Sequence, residues 1–247
     1  MSQTVLSLAV ALLLATVHIF GSRLAFLRVT PRSIWLSIAG GVSVAYVFVH
    51  ILPELAEHQE SFREAAQDGS FLAALESHSY LVALVGLATF YGLDRLAHNS
   101  SRRQEEKGEG YQPSESTFWV HLASFAIYNV LVGYLLVHRE DAGLQSLFIF
   151  AVAMALHFVV NDHALRDHHG RIYDHRGRWL LAAAPVLGWV CGVLIELPQL
   201  AIGALFALLA GSVVLNVMKE ELPEERESRF WAFALGAAGY AALLLLL

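Results

Sequence analysis

TFWVHLASFAIYNVLVGYLLV, Thr117–Val137, and AGLQSLFIFAVAMALHFVVN, Ala142–Asn161, are the two stretches on which the reading turns. Each runs about 20 residues without Asp, Glu, Lys or Arg, the length a helix needs to cross the hydrocarbon of a bilayer while satisfying its own backbone. A short polar turn around His138 to Gly143 separates them. Two such helices are expected to be antiparallel neighbours. Charge-free windows recur outward from this pair at Val5–Ser22, Ile34–Pro53, Ser79–Leu93, Trp179–Ile195, Leu197–Met218 and Phe230–Leu247, giving eight spans. The third is short unless it reaches back through Glu76 to Phe71.

Composition agrees with the count. Of 247 residues, 56% are hydrophobic and 15% charged, and the mean hydropathy is +0.53, a balance unsuited to a water-soluble globule. The expected fold is all-α, one transmembrane domain over residues 1–247, with a flexible linker at about 98–116 where charges alternate and Gly108, Gly110 and Pro113 gather. A net charge of −6 argues against nucleic acid as a partner. Cys191 is the only cysteine, which excludes a disulfide framework or thiolate cluster within the chain. Met1 to Thr4 carry no Lys or Arg, so the first apolar run reads as a span rather than a cleaved signal.

Orientation follows from the basic residues, which collect in cytoplasmic loops. Of the 16 Lys and Arg residues, all but Arg63 and Arg139 fall in odd-numbered loops. Both termini are therefore expected on the non-cytoplasmic side of a plasma or bacterial inner membrane. Leu52-Pro53-Glu54 after span two is matched by Leu222-Pro223-Glu224 after span seven. Similar helix ends on opposite faces are what an inverted-topology repeat produces, although Pro also ends helices without any such meaning.

Polar side chains inside the hydrocarbon need a reason. Span four carries Asn129. Span five carries His157 and Asn161, four residues apart on one helical face, with Asp162 about 100° further round. Imidazole, amide and carboxylate donors together form a mixed ligand set suited to Zn²⁺ or another divalent transition metal. The same residues also serve as hydrogen-bonding glue between membrane helices. Both readings stand at this point. No soluble-enzyme motif occurs, and an intramembrane hydrolase built on His157, Asp162, His163 and Ser124 is the weaker enzymatic alternative.

Eight spans with polar fourth and fifth members resemble the ZIP family of zinc and iron transporters. In that family span four reads His-Asn-x-x-Asp-Gly and span five His-Glu-x-Pro-His-Glu. Asn129 and Gly133 match the first motif, while Tyr128 and Val132 replace its His and its acid. His157 and Asp162 match the ends of the second, while Phe158, Val160 and Asn161 replace its Glu, Pro and second His. His50 to Glu54 and Gly211 to Glu224 are similar to the ends of the family's spans two and seven. The resemblance implies a 3+2+3 inverted-repeat arrangement and a homodimer. It also implies passage of a divalent metal, zinc first, into the cytoplasm, with Asn129, His157, Asn161 and Asp162 as the surviving metal ligands and no organic cofactor. The replacements imply the loss of at least one of the two metals that family members hold.

Two further clusters lie along such a path. His50, Glu54, Glu57 and His58, with Glu60, share one face beyond span two and are placed to gather cations or simply to solvate a helix end. His163, Asp167, His168, His169, Asp174 and His175 crowd the segment after span five, either as metal acceptors or as a flexible loop. His18 and His121 fall in the cytoplasmic half and line a possible exit route.

Overall fold

The computed structural model describes residues 3–21, 34–65, 78–107, 114–139, 143–221 and 229–245, without the side chains of 60–65, 167, 168, 220 and 221. Among these residues every regular element is a helix. α1 spans Gln3–Phe20. α2, Ile34–Tyr46, passes through a π turn, Val47–Ile51, into α3, Leu52–Ala65. α4 is Ser79–Glu106, α5 Glu115–Leu135, α6 Leu144–Ile172, α7 Arg178–Leu194, α8 Gln199–Asn216 and α9 Phe230–Leu245. Further π turns occupy Tyr173–Gly177 before α7 and Val217–Glu221 after α8. Seven segments are long and apolar enough to cross a membrane, and α9 adds a shorter apolar helix of 16 residues. The chain has the make-up of a multi-pass α-helical membrane protein.

Three expectations about segment ends change. The third span does not depend on reaching back to Phe71, which lies outside the described residues. Its helix runs forward instead, for 28 residues to Glu106. The first part of the expected linker is therefore helical, Ser114 caps α5 by accepting from the Thr117 amide, and only 108–113 lie outside the described residues. Leu52-Pro53-Glu54 does not end a helix. The π turn before it hands the chain on to α3, and Pro53 falls in the first turn of α3, where a missing N–H costs little. Its second copy, Leu222–Glu224, lies outside the described residues. The histidine-rich segment after span five is ordered helix, turning at Gly170 with φ 54° and ψ −130°, a conformation that only glycine adopts freely. Across that turn Arg166 Nε donates to Asp174 Oδ1 at 2.7 Å, and the Arg166 guanidinium lies 5.5 Å from the Tyr173 ring centre.

Where lipid is the solvent, helices associate by close van der Waals fit, so small residues mark the tightest seams. A Cβ on Gly133 would stand 2.1 Å from the Pro185 carbonyl oxygen, and one on Gly188 2.0 Å from that of Val130, which welds α5 to α7. α2 pairs with α9 through Gly41 against Phe233 and Gly236 against Ile38, and α4 pairs with α8 through Gly211 against Ala83 and Gly86 against Leu208. These two seams correspond residue for residue. Gly211 and Leu208 follow Gly41 and Ile38 at one constant offset along the chain, and Gly236 and Phe233 follow Gly86 and Ala83 at another. Val217, where the π turn after α8 begins, follows Val47 at the first of these offsets.

The expected close pairing of α5 with α6 does not occur, for their backbones scarcely approach. α5 packs on α7, while α6 packs on α1 and α2. Tyr128 and Phe158, both fully buried, stand between α5 and α6 with ring centres 6.4 Å apart and hold the axes off. Outward-facing Leu84, Ile127, Phe148, Leu187 and Leu235 are exposed and supply an apolar jacket. Trp35, Trp119, Trp179 and Trp231, four of the five tryptophans, are exposed at the starts of α2, α5, α7 and α9. Trp rings favour the boundary between lipid and water, and these four mark one such boundary.

Candidate functional site

The four residues singled out for a metal are all buried: Asn129 at 2%, His157 at 1%, Asn161 at 4% and Asp162 at 1% exposure. Asp162 is thus held inside the bundle. The four do not converge on one point. Asn129 turns toward α1 and α7. Its amide donates to the Leu181 carbonyl at 3.3 Å and to His18 Nε2 at 2.9 Å. His18, with Nε2 accepting, carries its proton on Nδ1 and donates it to Asp162 Oδ1 at 2.7 Å. The Tyr173 hydroxyl donates to the same oxygen. Asn129, His18, Asp162 and Tyr173 therefore form one hydrogen-bonded set joining α1, α5, α6 and the turn before α7. Asp162 Oδ2 is buried without a hydrogen-bond partner and packs on Gly21, where an added Cβ would stand 2.9 Å away. His18 was legible in the sequence only as a possible exit-route residue, and nothing in its spacing pointed to Asp162.

His157 and Asn161 belong to the other side of α6. The Asn161 side-chain amide and His157 Nε2 share a hydrogen bond at 3.0 Å. His157 Nδ1 and the Tyr128 hydroxyl are buried without partners, their rings 6.1 Å apart. Phe158 fills the remaining contact, its ring centre 4.7 Å from that of His18. Tyr128 and Phe158 thus fill the space between α5 and α6 with aromatic bulk. Among the described residues, no three His, Cys, Asp or Glu side chains stand together in a way that could hold a metal ion.

Two spaces flank this packed middle. At the end of α2 opens a cavity of about 290 Å³, bordered by His50, Glu54, Glu57, His58, His138 and Arg139 and floored by Met154 and Val213. His50 Nε2 stands 3.4 Å from Glu54 Oε2, its ring stacks on Tyr46 at 5.0 Å, and the His58 ring lies 5.0 Å from Phe206. The outer cluster expected from the sequence is therefore assembled around a hollow, apart from Glu60, whose side chain is outside the described residues. On the opposite side lies a crevice of about 20 Å³, room for one water, lined by Phe90, Asp94, His121, Asn161, Asn216 and Lys219 among others.

The two spaces share helix faces. On α6, Phe150 and Met154 line the cavity and Asn161, Ala164 and Leu165 the crevice, with His157 between them at helical spacing. On α8 and the π turn after it, Ile202, Phe206, Leu209 and Val213 give way to Asn216 and Lys219. On α5, Leu135 gives way to Phe125 and His121, with Val132 and Tyr128 between. The continuous stripe thus runs between α5, α6 and α8, and α8 is an element the spacing argument did not include. Beside the crevice, His121 Nδ1 and His169 Nε2 share a hydrogen bond at 3.0 Å. His175 bonds the Arg171 carbonyl at 2.9 Å on the surface, and Asp167 and His168 lie outside the described side chains. Ser124 Oγ donates to the His121 carbonyl within its own helix, so it is not aligned with His157 as a nucleophile. The chain matches no protein-family model and no curated protein.

Proposed function

We propose that the chain is a ZIP-like carrier of a divalent metal cation, zinc first, built as a 3+2+3 inverted repeat and moving the ion toward the cytoplasm past His157. One observation carries this reading: the helix-face stripe that links a cavity rimmed by imidazoles and carboxylates to a crevice ending at Asp94, with buried His157 Nδ1 unpartnered between them. The His50, Glu54, Glu57 and His58 rim suits first capture from the exported side. The cavity has room for an ion that retains several of its waters, each occupying about 30 Å³. The matched seams α2–α9 and α4–α8 support the repeat, and the Trp and Lys/Arg bias supports the same boundary as cytoplasmic.

The ion reaches the middle with His157, Asn161 and Tyr128 as neutral donors. Neutral donors bind a divalent ion weakly, which suits passage better than storage. Asn129 and Asp162, expected as ligands, brace the helices behind the path. A second reading rests on that same brace. The set Asn129–His18–Asp162–Tyr173 satisfies itself with no ion, as in a non-transporting relative whose polar residues only join helices.

Full-length chain in liposomes loaded with a zinc-sensitive dye decides between them. A carrier admits Zn²⁺, and His157→Ala stops the flux while leaving thermal unfolding near the parent's. No flux in the parent, together with a lowered unfolding temperature for His157→Ala, establishes the structural reading.

A further inference from the structure

An ion pair lines the crevice on the α4 and α8 side. Lys219, in the π turn after α8, places its ammonium on Asp94 Oδ1 of α4. Both side chains line the crevice that also reaches Asn161, with Asp94 partly buried at 21% exposure and Lys219 exposed at 38%. The opposite end of the path is open, and the residue correspondence between seams says what differs there. Val49, the counterpart of Lys219 under that correspondence, lines the open cavity, and the counterpart of Asp94 is Leu244. Neither can form an ion pair.

Resting on the carrier reading, we propose that Asp94 is a cation-binding carboxylate at the closed end of the path, occupied at rest by the Lys219 ammonium. Lys219 stands in for the transported ion and latches α4 to α8. A divalent cation brings twice the charge of an ammonium to the same carboxylate and competes with it there. Lys219 then swings on its flexible four-carbon stem into solvent, and the crevice opens. Without a cation the ammonium returns and the crevice closes.

The test uses the full chain with Cys191→Ser and a reporter thiol, Ala164→Cys, on the crevice wall, purified in detergent and treated with a water-soluble maleimide. Labelling is expected to rise at least tenfold when the pair is broken by Lys219→Met or Asp94→Asn, and to stay near the parent rate in Lys219→Arg. Zn²⁺ is expected to slow the labelling of Lys219→Met, where the carboxylate is free, and to leave Asp94→Asn unchanged. Unchanged labelling in both broken-pair variants overturns the latch. Faster labelling with no Zn²⁺ protection in Lys219→Met, or with equal protection in both, overturns Asp94 as the cation site. Elution on size exclusion checks that each variant is folded. Flux is not read in this assay, so a parent chain that moves no metal counts against the carrier reading alone.

Discussion

Replacing Asp162 separates its bracing from any part in conduction. Its Oδ1 accepts from His18 Nδ1 and from the Tyr173 hydroxyl, and all three groups are buried. In Asp162→Ala both donors lose their acceptor in a place water does not reach. Each orphaned donor costs about 1–3 kcal/mol, so the His18 and Tyr173 donors together cost about 2–6 kcal/mol. The loss is therefore about 4 kcal/mol, which for a chain of this size lowers the unfolding temperature by on the order of 10 °C. Asp162→Asn keeps an acceptor oxygen of the same shape. It weakens two charge-assisted bonds but removes the cost of a buried carboxylate, so stability stays within about 1 kcal/mol of the parent. Thermal unfolding of purified protein in one detergent, followed by tryptophan fluorescence, measures both. If Asp162→Ala unfolds within about 2 °C of the parent, the hydrogen-bonded set is not a brace and this reasoning fails.

Two backbone positions give further expectations. In Gly133→Ala the new methyl meets the Pro185 carbonyl oxygen at 2.1 Å, so α5 and α7 must part by about 1 Å at a cost of about 1–3 kcal/mol. The unfolding temperature should fall, while Gly92→Ala, with nothing within 4 Å, should match or exceed the parent. Equal behaviour of the two would deny that α5 and α7 touch there. Gly170→Ala places a side chain at φ 54° and ψ −130°, strain of about 1–3 kcal/mol. The turn should become the first site of limited proteolysis, and an unchanged digestion pattern would speak against this turn geometry.

Helix content and multi-pass character were legible because each depends on local hydropathy: a charge-free run of about 20 residues has few alternatives to a membrane helix. Which helix touches which was not. Adjacency along the chain favoured α5 beside α6, whereas the partners are set by glycines that face each other across long separations, such as Gly133 with Pro185 and Gly211 with Ala83. Their spacing carries no signal of the partner. The cost of polar groups in lipid pointed to Asn129, His157 and Asn161 as buried, whereas Asp162, followed at once by His163 and Arg166, read equally as leaving the membrane, and the division of the four between two sides of α6 was not foreseen. Helical spacing placed Asp162 about 100° from Asn161, and that angle already allowed the split. His18 Nδ1 on Asp162 and Lys219 on Asp94 join residues 144 and 125 positions apart, beyond any periodicity argument.

On the proposed carrier reading, the division across α6 also sets how a divalent ion would cross a middle that has only neutral donors. Asp162 follows His157 by five residues, an axial rise of about 7.5 Å, with its carboxylate on the far side of the helix. With the helix between them the two sites stand about 12 Å apart, and at an effective dielectric constant of about 20 a negative charge there stabilises a divalent ion by about 3 kcal/mol, without touching it. The brace then has a second effect. By holding Asp162 immobile, His18 and Tyr173 keep a fixed negative potential behind the constriction, while Glu54 and Glu57 at one end and Asp94 at the other supply carboxylates that an ion can meet directly. This arrangement separates field from coordination, and the isosteric variant distinguishes them. Asp162→Asn preserves the fold by the reasoning above, yet it removes the field, so on the carrier reading Zn²⁺ flux should fall by about two orders of magnitude. Flux that survives Asp162→Asn intact but disappears in His157→Ala would show that coordination alone carries the ion through.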